Sequence, residues 1–207
     1  MTTTAPPKRA LSTGDRVGLL IMMVAGGALM LGTVVAAVVR IADVLSSPRV
    51  EVFAEFAGTP AVAPIGVDGA GVEVALDTAV LTLTDLPVAS LWAIVIQQVL
   101  MVVGVVTVVT CLLLLARNVL RDRVFSRGNT VLVNVAGFTA LIGVAAYPFF
   151  GNMAANGAFA ALSDRTFDNV VMTVDVGTLF AVAFVVALAS TVFVVGDRLQ
   201  RETEGLV

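Results

Sequence analysis

The sequence contains no histidine and a single cysteine, Cys111, which lies inside an apolar run. Zinc and haem sites draw on histidine or clustered cysteine, and a disulfide framework needs at least two thiols, so all three are improbable. Charge is scarce as well: 13% of residues are Asp, Glu, Lys or Arg, against roughly 25% in an ordinary soluble domain. A formal net charge of -3, a pI of about 4.8 and no basic-aromatic stripe speak against direct nucleic-acid binding. Catalytic patterns are missing too: no GxSxG elbow, no P-loop, no HExxH and no glycine-rich dinucleotide turn after a strand. A serine or threonine nucleophile would lack a histidine base. Glu51 and Glu55 are a conceivable acid-base pair, but their alternation along one strand fits a solvated face better. The expectation is a non-enzymatic chain with no cofactor and no metal.

What is abundant is apolar surface, at 58% of residues. Four apolar-rich runs cover residues 17–39, 91–116, 130–150 and 170–195. The first has 23 residues and would extend about 35 Å as a helix, enough for a hydrocarbon core of about 30 Å. It exceeds the apolar stretch of a signal peptide, so it reads as a span. The fold class expected is an all-α membrane protein, a four-transmembrane-helix bundle with a small extracytoplasmic β-rich insert between helices 1 and 2. Its parts are a flexible cytoplasmic tail over 1–16, helix 1 over 17–39, the insert over 41–90, and helix 2 with a cytoplasmic extension over 91–125. Helix 3 follows over 129–150, an outer loop over 151–169, helix 4 over 170–196 and a cytoplasmic tail over 197–207.

Orientation is read from lysine and arginine near the spans, because positive groups resist translocation. Lys8, Arg9, Arg16, Arg117, Arg121, Arg123, Arg127, Arg198 and Arg201 fall on one side; Arg40, Arg49 and Arg165 fall on the other. Both termini are therefore expected in the cytoplasm of a multi-pass cell-membrane protein. Trp92, Tyr147, Phe149 and Phe150 cluster near the outer ends of helices 2 and 3, where such rings suit the headgroup level. In the insert, Val50, Val52, Ala54 and Phe56 alternate with Glu51, Phe53 and Glu55, and Val72, Val74 and Leu76 alternate again. This predicts two or three antiparallel strands resting on the helix ends. A structural cap is the default role, and a ligand or partner surface the alternative.

Helix association in lipid relies on small residues and interhelical hydrogen bonds. Ala28, Gly32 and Ala36 form such a stripe on helix 1; Gly177 with Ala181, and Ala183 with Ala187, do so on helix 4. On helix 2, Ser90, Gln97, Gly104, Cys111 and Asn118 recur every seven residues, so that face should look inward, as hydrogen-bonding glue or as a cavity lining. Gln97, Asn134 and Asp175 are the candidate intramembrane polar site. Asp175 is either a solvated, cap-like carboxylate near a helix start or a proton or cation site. Pro148 should kink or end helix 3. Ser126 is placed to cap helix 3, with Gly128 in the turn. Arg117, Arg121 and Arg123 are expected to meet anionic headgroups, or alternatively Glu202 and Glu204.

Three stretches carry a family resemblance: Phe125-Ser126-Arg127-Gly128-Asn129, the region around Pro148, and the ending from Ala189 through Val192-Phe193 and Gly196-Asp197-Arg198-Leu199 to Gly205. A Phe-Ser-x-x-Asn-like turn after a basic stretch and a Val-Phe-x-x-Gly-x-x-Leu-x-x-Glu-like ending resemble the bacterial membrane family named domain of unknown function 2975. The resemblance covers roughly residues 112–207 and leaves the insert largely unmatched. It implies a four-span inner-membrane protein and, in some members, a gene neighbour encoding a helix-turn-helix DNA-binding regulator. It implies no activity and no catalytic residue. The function expected is binding of a protein partner, such as that cytoplasmic regulator, in signalling or sequestration. The contacts would come from Arg117, Arg121, Arg123, Phe125, Asn129, Arg198 and Glu202, besides the lipid bilayer itself. The alternative is a small transporter or channel subunit, with a homo-oligomer as one form it would take; no internal repeat or mid-span helix break supports it.

Overall fold

The computed structural model describes residues 12–121, 123–167, 169, 171 and 174–204, without the side chains of 203 and 204. Helix α1 (Thr13–Ser46) is followed by strands β1 (Val50–Ala63) and β2 (Val72–Leu83), then helices α2 (Val88–Val119), α3 (Arg127–Leu162) and α4 (Val176–Glu204). All four helices are long and apolar enough to cross a membrane, and a two-stranded sheet sits between the first and second. The chain is thus a multi-pass membrane protein of the expected class.

Local chemistry sets the ends of α1. Ser12 Oγ accepts from the Asp15 amide at 3.1 Å while Asp15 Oδ2 accepts from the Ser12 amide at 3.0 Å, a reciprocal capping box. The expected tail over 1–16 is therefore corrected: residues 13–16 are helical, and Lys8 and Arg9 lie outside the described residues. At the other end α1 runs on to Ser46, carrying Arg40, Asp43 and Val44 above the apolar run.

Neighbouring helices are antiparallel. Close backbone approach runs from α1 to α2 to α3 to α4, whereas the backbones of α1 and α3, and of α4 and either α1 or α2, stay apart among the described residues. The bundle is an open row. Gly26 makes room for α2, since a Cβ there would sit 3.0 Å from Val109 and 3.2 Å from Leu113; Gly137 does the same for Val186 of α4. The inward face expected on α2 is found: Ser90 and Cys111 are buried, and Gln97, Gly104 and Asn118 are partly so. The small-residue stripes are corrected. Ala28, Gly32, Ala36, Gly177, Ala181 and Ala187 are exposed, Ala183 is partly covered, and α1 instead buries Thr33, Ala37 and Val44. Glycine and alanine are apolar enough to face lipid, so their spacing alone does not fix an interface; the bulky partner each one meets does.

The outer loop over 151–169 is also corrected, because α3 continues through Pro148 to Leu162. Its 36 residues extend about 54 Å, some 24 Å more than the hydrocarbon core needs. Ala154, Ala155, Ala158 and Phe159 recur at helical spacing and pack on Val50, Val52 and Ala54 of β1, Leu83 of β2, Val44 of α1, and Ala93 and Ile94 of α2. Here, outside lipid, the hydrophobic effect operates, at about 1.5–3 kcal/mol for a buried side chain of Phe159's size. Phe56, Phe159 and Phe167 close the layer, with ring centroids 5.0 Å and 5.1 Å apart for the pairs that include Phe159.

Val50 of β1 pairs with Leu83 of β2, and Ala63 with Val72, in an antiparallel ladder with a register shift between Glu55 and Thr59. Gly58 takes a φ of 69° there, which the bulge requires and glycine adopts freely. Val50, Val52 and Ala54 face the helices while Glu51, Phe53 and Glu55 are exposed, as the alternation predicted. Helix α4 begins at Val176 rather than 170 and persists through Glu204, so most of the expected C-terminal tail is helical; residues 205–207 lie outside the described residues.

Candidate functional site

The expected contact residues divide sharply on the face that carries the helix termini. Asn129 is fully buried at 0% exposure. Its Oδ1 accepts from Asn118 Nδ2 at 2.8 Å, and its Nδ2 donates to the carbonyls of Arg123 at 2.6 Å and Val124 at 2.9 Å. Ser126 Oγ caps α3 by accepting from the Asn129 amide at 3.3 Å. Asn129 therefore clamps the turn between α2 and α3 and presents nothing to a partner. Phe125 lies against Gly196, where any Cβ would overlap its ring, and 5.9 Å from the Phe193 ring, so it anchors that turn to α4. Glu202 bonds Arg198 at 3.0 Å one turn away on α4, and no pairing with Arg117, Arg121 or Arg123 is seen among the described residues. Arg117, Arg121, Arg123 and Arg127 are exposed.

Gln97, Asn134 and Asp175 do not form one site. Asn134 Oδ1 accepts from Ser190 Oγ of α4 at 2.5 Å. It lies thirteen residues from Tyr147 on α3, about 20 Å along the helix. Asp175 is exposed and precedes α4, so it lies outside the span. It accepts from the amides of Gly177 at 3.0 Å and Thr178 at 3.3 Å and from Thr178 Oγ1 at 2.5 Å. These bonds, the Thr178 hydroxyl first, lower its pKa below the ordinary 3.8. Of its two readings, the cap is the one with the geometry.

Gln97 lies elsewhere, in a cleft of about 340 Å3 on the hairpin side. Its Nε2 donates to the Tyr147 carbonyl of α3 at 3.0 Å. The cleft draws Arg40 from α1, Phe53 and Glu55 from β1, Gln98 from α2, and Asn152 from α3. Its walls are Arg40 of α1 and Tyr147 and Asn152 of α3, helices whose backbones stay apart, with Gln97 and Gln98 of α2 as the floor and Phe53 and Glu55 of β1 as the roof. Trp92, Tyr147 and Phe149, all exposed, mark its level as interfacial. Gln98 lies six residues beyond Trp92 on α2, which carries the polar floor about 9 Å further along the helix.

The charged and amide groups of the cleft keep unused capacity. Arg40 donates to Asp43 at 3.3 Å and to the Glu51 carbonyl, which occupies part of its set of five N–H donors. Among the described residues, the side chains of Gln98, Asn152 and Glu55 make no hydrogen bond or ion pair, though the Glu55 carbonyl accepts from Asn169 at 2.8 Å. Of these residues the sequence marked only Gln97 as a site candidate. The signal for Gln98 was an amide doublet inside an apolar run; Arg40 and Asn152 carried none, since tertiary packing alone brings α1 and α3 to one gap. No group of three metal-ligating side chains occurs among the described residues. Comparison with family models, curated proteins and solved structures finds no match.

Proposed function

We propose that this chain is a non-enzymatic membrane binding protein that takes a small ligand in the cleft between α1 and α3. The observation that carries the reading is the set of unpartnered polar groups, Gln98, Asn152 and Glu55 with the spare donors of Arg40, turned onto one gap at the membrane interface. Their polar atoms remain accessible, so a bound molecule that pairs with several of them at once can take the place of water there. The termini face the cytoplasm in this reading, supported by the nine-to-three split of lysine and arginine. Exposed Arg117, Arg121, Arg123 and Arg127 then meet anionic headgroups or an acidic face of a cytoplasmic regulator. Membership of the family named domain of unknown function 2975 belongs to the same proposal. It rests on the sequence features alone, Phe125-Ser126-Arg127-Gly128-Asn129 and the Val192-Phe193 to Glu202 ending.

The test is native mass spectrometry of the gently solubilised chain. A bound molecule that survives purification is expected, and a Gln98→Leu/Asn152→Leu double variant that folds normally is expected to lose it. A wild-type chain that carries nothing, or a double variant that keeps the adduct, overturns the reading.

A further inference from the structure

The composition and openings of the cleft say which ligand it takes. Resting on the cleft reading above, we infer that its occupant is a phospholipid with a zwitterionic headgroup bearing a primary ammonium, of the phosphatidylethanolamine kind. The backbones of the two spanning helices stay apart beyond their shared core at the hairpin, which leaves the cleft a side toward the bilayer as well as one toward the hairpin. An amphiphile enters by that route without leaving the membrane. The charged lining groups have opposite signs, Arg40 and Glu55, which matches a phosphate and an ammonium on one headgroup better than a purely anionic lipid. Neutral amides of Gln98 and Asn152 supply both donors and acceptors beside them. A quaternary ammonium is usually held by an aromatic cage, whereas among the described residues the cleft lining has just Phe53 and Tyr147 as aromatics. A primary ammonium, which donates hydrogen bonds, suits the carboxylate and carbonyl acceptors present.

The helices also leave space for an acyl chain. The bonds from Gln97 to Tyr147 and from Asn118 to Asn129 set an antiparallel register that places Gly104 of α2 level with Gly143 of α3. Added Cβ atoms at these two glycines would meet nothing within 4 Å. Gly104 lies seven residues below Gln97 on the same α2 face, about 10 Å deeper. Headgroup polarity and acyl-chain space thus stand in the order in which a lipid of the hairpin-side leaflet presents them.

The experiment uses the full chain in detergent with phosphatidylethanolamine, phosphatidylglycerol, phosphatidylcholine or soluble phosphoethanolamine added at matched concentrations. Retention is read by native mass spectrometry. Phosphatidylethanolamine should be retained about tenfold over the other two lipids, the worth of one charge-assisted hydrogen bond. Glu55→Gln, on an exposed strand position, should bring that ratio to about twofold or less, and Gly104→Leu should lower retention of every lipid. Equal retention of the three lipids, an unchanged ratio in Glu55→Gln, or displacement of lipid by equimolar phosphoethanolamine overturns the inference. In those outcomes a ligand is still bound and the cleft reading stands; a chain that retains nothing overturns both.

Discussion

The side-chain amide of Gln97 reaches across from α2 and donates to the Tyr147 carbonyl at 3.0 Å, in the space that Gly151 leaves one turn later on α3. A Cβ on Gly151 would stand 2.6 Å from Gln97 Nε2, so the bond and the missing side chain belong together. Gln97→Ala should cost about 0.6–2 kcal/mol, the range for an interhelical hydrogen bond in lipid. Gly151→Ala should displace the same amide, so the double variant should lose less than the sum of the singles. Unfolding in mixed micelles measures the cycle, and strict additivity would show the two residues to be uncoupled.

At the hairpin end of the same helix pair, Gly157 faces buried Ser90, whose Oγ occupies the place a Cβ would take. Gly157→Ala should therefore destabilise the chain by about 1–3 kcal/mol through overpacking. Adding Ser90→Gly should recover part of that loss. A Gly157→Ala chain as stable as the parent would mean that α2 and α3 are not held this close.

Removing the Asn129 amide leaves two backbone carbonyls and the Asn118 donor without their partner at a fully buried position. Asn129→Ala should cost about 2–4 kcal/mol, reflecting desolvated groups left unpaired. Asn129→Asp keeps the acceptor for Asn118 and loses both donors, so it should not restore stability. Thermal unfolding in detergent gives both values, and a neutral Asn129→Ala would move this residue back to the partner-facing surface.

Asp175 predicts a pH response whose sign follows from its lowered pKa. A carboxylate with a folded pKa below its unfolded value contributes stability that is complete above the unfolded value and is lost as pH falls through the folded one. The cap should thus hold from neutral pH down to the ordinary 3.8 and fade only below it. Asp175→Ala should be less stable than the parent at pH 7, and the gap should close in the acid limb. Asp175→Asn, which still accepts through its amide oxygen, should retain most of the cap and respond less to pH. A transition near neutral pH traced to Asp175 would instead support a proton site.

Much of this architecture follows from local pattern. The four apolar runs, the strand alternation at Val50, Val52 and Ala54, and the seven-residue recurrence on α2 all have local causes, and all reappear in the fold. The extension of α3 escapes local pattern because Gly151, Asn152, Asn156 and Gly157 are residue types that favour turns. The helical recurrence of Ala154, Ala155, Ala158 and Phe159 is the stronger signal, since it finds the hairpin to pack on. Pro148 removes one backbone donor, yet the contacts on both sides of it keep the helix going. The cleft was illegible for a different reason: its polar groups come from α1, β1, α2 and α3, and no local periodicity records that α1 and α3 stay apart.

The cleft itself is most directly tested by thiol accessibility. Cys111 is buried and is the sole native cysteine, so a Cys111→Ala background permits single-site labelling. Gln98→Cys in that background should react with a small, charged methanethiosulfonate reagent in lipid-depleted detergent, and should be protected when phosphatidylethanolamine is restored. Val103→Cys, on an exposed apolar position of α2, supplies the membrane-facing reference. Reaction and protection at Gln98 are the predicted result. Labelling no faster than at position 103 would show that no polar cleft reaches into the membrane between α1 and α3, and would contradict the account.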